Sequence, residues 1–103
     1  MKTLPSNNDG IIFGKEHESP LFIRKVTFEP GYTETGDHLH PNSFEYYIVL
    51  SGNVTFRSGS QEQKLNPGDI VFFKKAEPHR IISVESTVEM LLFKETGVTK
   101  IQL

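Results

Sequence analysis

Apolar and polar positions alternate along much of this chain, and no stretch shows a convincing 3.6-residue apolar period. Between 21 and 29, Phe22, Arg24, Val26 and Phe28 fall on one face and Ile23, Lys25, Thr27 and Glu29 on the other. Successive side chains of a strand point to opposite faces, so this is the pattern of a half-buried strand. The first face is the more apolar and is predicted to look inward. That sets Arg24 inside a core-facing stripe, where charged side chains are rare. Pro30 and Gly31 end the strand in a turn.

Further strands are predicted over 11–15, 45–50, 54–57, 61–65, 70–74, 79–84, 87–94 and 98–102. Ser51, Gly52 and Asn53 read as a hairpin turn between two of them, and Asn66-Pro67-Gly68-Asp69 as a strong turn. The segment 61–65 is polar and reads as an edge, whereas 70–74, IVFFK, reads as buried. Within 87–94, Val88, Met90 and Leu92 alternate with Glu89, Leu91 and Phe93, so both faces of that strand meet apolar neighbours. About eight to ten short strands at fairly regular spacing predict an all-β sandwich or barrel. An antiparallel jelly roll closes its edges and leaves a mouth in which side chains converge.

Composition narrows the picture. The chain has 103 residues, which predicts a single domain, 1–103, with one core. Residues 1–9 are polar and are expected to form a loose or partner-held N-terminal arm. There is no cysteine, which excludes disulfides and thiolate metal sites and agrees with a cytoplasmic location. A formal charge of −2 gives no reason to expect nucleic acid or an anionic membrane as partner. The start lacks the apolar stretch of a signal peptide, and no apolar run approaches the roughly 20 residues of a membrane helix.

The candidate chemistry lies in 31–52. His38 and His40 are two apart, so in an extended chain both imidazoles lean to one side and Leu39 to the other. Glu45, returning after a short loop, can complete a third corner, and His79 stands in a later apolar strand. Two nitrogens and an oxygen suit a divalent transition metal.

The same residues resemble the first cupin motif, in which a Gly precedes His-x-His, then a Glu, then a second Gly. Here these are Gly31, His38, His40, Glu45 and Gly52, with a one-residue insertion between Gly31 and His38. Pro67, Gly68, Asp69 and His79 resemble the second motif. Lys74, Ala76 and Ser83 depart from its usual Pro, Gly and Asn. The resemblance, to a small single-domain cupin, implies an all-β double-stranded β-helix, the jelly-roll barrel. It also implies one divalent transition metal (Fe, Mn, Ni, Co, Zn or Cu) held by His38, His40, Glu45 and His79. Four protein ligands leave one or two positions open for water, dioxygen or substrate oxygens.

Two further residues are candidates for catalysis. Arg24, if inward, can clamp a carboxylate or phosphate beside the metal; the alternatives are a structural ion pair or an outward-facing register. Tyr47 shares strand parity with Glu45 and can offer a hydroxyl to the pocket, though a core aromatic is the better expectation. His17, in a polar stretch, reads as a solvated surface residue, and Lys74 and Lys75 as a solvated edge. The resemblance points to a metal-dependent enzyme acting on a small oxygenated substrate, anionic and sugar-acid-like if Arg24 is inward, by isomerase, lyase or dioxygenase chemistry. The alternative is a non-enzymatic module that binds or senses a small molecule. Edge strands, the arm and the two-faced strand 87–94 predict a homodimer.

Overall fold

The computed structural model describes residues 1–5 and 8–96. Six strands make up its regular structure: β1 Gly10–Phe13, β2 Leu21–Phe28, β3 Phe44–Ser58, β4 Gln61–Leu65, β5 Ile70–Phe73 and β6 Arg80–Glu95. Every pairing is antiparallel, and the described residues contain no helix. The order is β1-β2-β6-β3-β4, with β5 added along the first half of β3. The strand expected over 98–102 lies outside the described residues.

Strand number is where the fold departs from the expectation. The hairpin at Ser51-Gly52-Asn53 does not form, and 45–50 and 54–57 belong to one 15-residue strand, β3. Likewise 79–84 and 87–94 merge into β6, of 16 residues. Both are far longer than the usual strand of about 5–6 residues, and their curl closes the jelly-roll barrel. The polar interruptions in each are irregularities in their shared register between Val49 and Phe56. Such bulges bend a strand without reversing it. Gly52 has φ +74°, and a Cβ there would stand 2.0 Å from the Thr87 carbonyl oxygen. Its smallness lets the two long backbones cross closely.

The inner face is laid out in rows across the sheet. Phe22, Lys94, Glu45 and Phe73 make one row, Arg24, Leu92, Tyr47 and Val71 the next, and Val26, Met90 and Val49 a third. The third row is buried and wholly apolar, and continues into Val54, Phe56, Leu65, Ile81, Val84 and Val88. Removing each such side chain from water stabilises the fold by about 1.5–3 kcal/mol. The first row instead carries two charged groups. One end of the barrel is therefore an apolar core, and the other is polar.

The segment 70–73 is not buried as expected. Phe73 is inside, but Ile70 and Phe72 are 61% and 44% exposed, because β5 covers β3 from one side only. On the outer face they join Tyr46, Ile48, Leu91 and Phe93 in two adjoining rows. Further along that face, Lys25 is buried beside the Glu89 carboxylate, 3.3 Å away. Its Nζ donates to the Pro5 carbonyl at 3.4 Å, so the N-terminal segment lies over it. Among the described residues no helix is long and apolar enough to cross a membrane.

Candidate metal centre at the barrel mouth

The segment 31–40 is stitched to the start of β6. Gly31 N–H donates to the Val84 carbonyl, Glu34 N–H to that of Ile81, and His38 and His79 exchange two backbone hydrogen bonds of 3.0 Å. The Ala76 N–H in turn donates to the His40 carbonyl at 2.9 Å. His38, His40 and His79 thus enter the mouth from backbones fixed to one another, while Leu39 points away, 44% exposed. The turn before His79 forms despite Ala76 in place of Gly. Ala76 adopts φ +61°, and the Glu77 carboxylate closes the turn by accepting the Lys74 N–H at 3.0 Å.

Glu45 lies at the centre, 1% exposed. An ionised carboxylate is costly to bury unless cations face it. Here His79 Nε2 donates to Oε1 at 2.9 Å, His40 Nε2 stands 2.9 Å from Oε2, and Lys94 Nζ is 4.0 Å from Oε2. Burial alone would push the Glu45 carboxyl up. The hydrogen bond from His79 and the charges of His79, His40 and Lys94 outweigh it and hold the carboxyl below its usual value.

His79 is stacked on Phe73 at 3.9 Å, and its Nδ1–H donates to the Glu77 carbonyl at 2.9 Å. With an acceptor at each ring nitrogen, the ring keeps both protons more readily. Burial opposes this, but the bonds to Glu45 and Glu77 raise its pKa. His40, by contrast, is lowered by burial, with Glu45 offsetting only part of it. The Tyr47 ring packs on Phe56 at 5.0 Å, 7% exposed. Burial, then the nearby Glu45 charge, keeps its hydroxyl protonated. Arg24 is half-buried on the inner face, and its Nε is buried with no hydrogen-bond partner.

As they stand, no three His, Asp or Glu side chains among the described residues are arranged to hold a metal ion. Glu45 occupies the centre and takes up His40 and His79, and His38 Nε2 turns to Glu34 Oε1 at 3.3 Å. The donors nevertheless fit a metal in kind. Imidazole centroids lie 4.6, 6.1 and 6.3 Å apart. Rings sharing an ion about 2.1 Å from each nitrogen would be spaced by roughly 4.5–6.5 Å. The Glu45 Oε2 is buried without a well-directed hydrogen bond. The Glu77 carbonyl fixes Nδ1 of His79 as donor and leaves Nε2 as the ligating atom once its proton is lost.

Three neighbours of this cluster went unseen in the sequence. Glu34 accepts the Ile81 N–H at 2.7 Å and the Tyr32 hydroxyl at 3.0 Å while facing His38. Its only sequence signal is a position four residues before His38. Lys94 continues the inward parity of Val88, Met90 and Leu92, a legible signal. Glu16, which binds Lys94 Nζ, had none. His17 is exposed as expected, yet its ring lies 6.0 Å from that of His40, at the rim of a cleft of about 460 Å³. A larger cavity of about 630 Å³ lies far from these groups, between the N-terminal segment and the outer face near Lys25.

Comparison with known proteins identifies the family and agrees with the fold. The family model described as Cupin domain matches residues 24–93. The oxalate-binding protein of Thermotoga maritima is 27% identical over 71 residues, 69% of this chain and 58% of that protein. The (R)-mandelonitrile lyase of Granulicella tundricola is 35% identical over 54 residues, 52% of this chain and 40% of the lyase. The chain thus spans about half the length of these curated relatives. Among solved structures, a cupin protein from Bacteroides fragilis superposes with a TM-score of 0.77 at 15% identity, covering 100% of this chain and 96% of that one.

Proposed function

The chain belongs to the Cupin domain family, and on that premise we propose that it is a metal-dependent enzyme acting on a small oxygenated substrate. In this reading His38, His40, His79 and Glu45 hold one divalent transition metal. The observation that carries it is the buried Glu45 carboxylate between the Nε2 atoms of His40 and His79, both at 2.9 Å, with His38 alongside. When bound, the metal supplies a Lewis acid for a carbonyl or enolate, or activates dioxygen if it is redox-active.

The remaining work falls to the chain itself. Arg24, inward and with an unpartnered Nε, binds an anionic group of the substrate. Phe22 and Phe73 wall the site and limit water. Tyr47 packs beneath as a core aromatic, its hydroxyl held in the neutral form by burial, and acts as a donor only. Isomerase, lyase and dioxygenase chemistry all remain within reach of this arrangement, and an acidic, oxygen-rich substrate suits each. The test is turnover of small carboxylate-bearing substrates by metal-loaded protein. Activity that falls at least tenfold in Arg24→Ala supports the reading, and activity indifferent to that change and to His79→Ala contradicts it.

One observation favours a second reading, a binding module without turnover: a relative is named for binding oxalate. Saturable binding with no product from any such substrate would select it. In either case we propose a homodimer through the outer face, where Tyr46, Ile48, Ile70 and Phe93 form an apolar groove of about 290 Å³ with Glu95 and the exposed Phe72 ring lies against Tyr46. A face of this kind is self-complementary about a two-fold axis and would be covered by its own copy.

A further inference from the structure

Lys94 is a cation of the inner face to which the reading above gives no ligand group to bind. It lies in the same row as Glu45 and Phe22, buried to 9% exposure. Its Nζ is not paired mainly with Glu45, 4.0 Å away. Its close partner is Glu16 Oε2, from the loop between β1 and β2. Arg24, on the same face one row along, adds its field at Glu16, and its own Nε has no partner. Lys94, although 4.0 Å from Glu45, thus has as its close partner a carboxylate that belongs to the loop between β1 and β2 and not to the barrel.

The space around this contact is divided. Lys94, Phe22 and Ser19 line a cavity of only about 20 Å³, too small for any organic ligand. Beside it lies the 460 Å³ cleft that reaches His40. The two share His17, Ser43 and Thr96 as walls. His17, next to Glu16 on that loop, is one of the three shared walls, and it holds a left-handed backbone, φ +67°, uncommon for a residue other than glycine. Moving that loop would merge the two spaces and open Lys94 to the cleft.

We propose that Lys94, with Arg24, is a carboxylate-binding subsite beside the metal centre, and that Glu16 is its built-in occupant, displaced when an acidic ligand enters. The Glu16 carboxylate stands in for that of the ligand: it makes the same charge-assisted bond to Lys94 Nζ. The resting contact keeps the cation paired while the site is empty of ligand, which a buried ammonium requires. It also lowers the apparent affinity of any competing carboxylate, because only the open fraction of molecules can bind. This rests on reading the barrel mouth as a small-molecule site, but not on the metal.

The test is an NMR titration of the full ¹⁵N-labelled chain with sodium oxalate as probe, with and without one equivalent of Zn²⁺. In the wild type, oxalate should shift the amides of residues 14–20 as the loop leaves Lys94. Glu16→Gln, a change on an exposed loop, should lower the oxalate Kd about fivefold or more. Lys94→Met should abolish the metal-independent binding, and Lys94→Arg, which keeps the charge if the Met variant does not fold, should retain it. Equal Kd in wild type and Glu16→Gln, loop amides unmoved at saturation, or no metal-independent binding to either protein overturns the proposal. Zn²⁺-dependent shifts of the histidine rings report the metal reading separately, so the two can fail independently.

Discussion

Glu45 decides the chemistry at the scale of single residues. It is a carboxylate at 1% exposure that keeps its charge only because His79, His40 and Lys94 surround it. Replacing it with Gln takes the counter-charge from the buried His79 ring and leaves Lys94 to Glu16 alone. Urea unfolding should show Glu45→Gln destabilised by about 2–4 kcal/mol, and a stability equal to wild type would mean the carboxylate is not paired as described. His38, His40 and Glu45 were legible in the sequence because type, order and parity concern positions close along the chain, whereas His79, 34 positions from Glu45, was reached only through the resemblance to the cupin motifs. Arg24 was legible for the same reason, since its inward parity follows from Phe22 and Val26. Glu16 was not. The pairing that joins it to Lys94 bridges 78 positions, and no local pattern announces such a contact.

Elements show the opposite balance. Turn residues at 51–53 were real signals, but a Gly in a polar break has the same look whether the chain reverses or only bulges. What decides is the partner strand, and β6 runs past both halves of β3. Gly52→Ala is therefore expected to cost well over about 2 kcal/mol, since its Cβ would collide with the Thr87 carbonyl at 2.0 Å in a left-handed conformation. Thermal unfolding will measure it, and a neutral effect would contradict the close crossing. Ala76 gives the converse case. It sits at φ +61°, where Gly is relieved of a strain of about 1 kcal/mol. Ala76→Gly should raise the midpoint by a few degrees. The exposure of β5 was likewise hidden, because an apolar run of four does not reveal how many of its faces are covered.

For the whole molecule, polarity is sorted twice. Along the barrel axis, an apolar core at one end gives way to the charged row of Lys94 and Glu45 at the other. Across the sheet wall, an exposed apolar face lies opposite that row. The first sorting positions a site, and the second asks for a cover. Light scattering should find a dimer that Ile70→Asp or Phe72→Glu converts to monomer without loss of fold. A wild-type monomer at micromolar concentration would remove the outer face from the account. The barrel class was foreseeable from period-two alternation and the absence of helical spacing. Its closure by two long curled strands was not, since that depends on pairings between distant segments.

Most directly at stake is whether the cluster at the mouth accepts one ion. Titrating the chain with Co²⁺ while following its visible absorption measures this without knowledge of substrate. Saturation is expected at one equivalent per chain with the spectrum of nitrogen and oxygen ligands, lost in both His79→Ala and Glu45→Gln. Weak, non-saturating uptake by the wild type, or an identical titration in the His79→Ala variant, would contradict it.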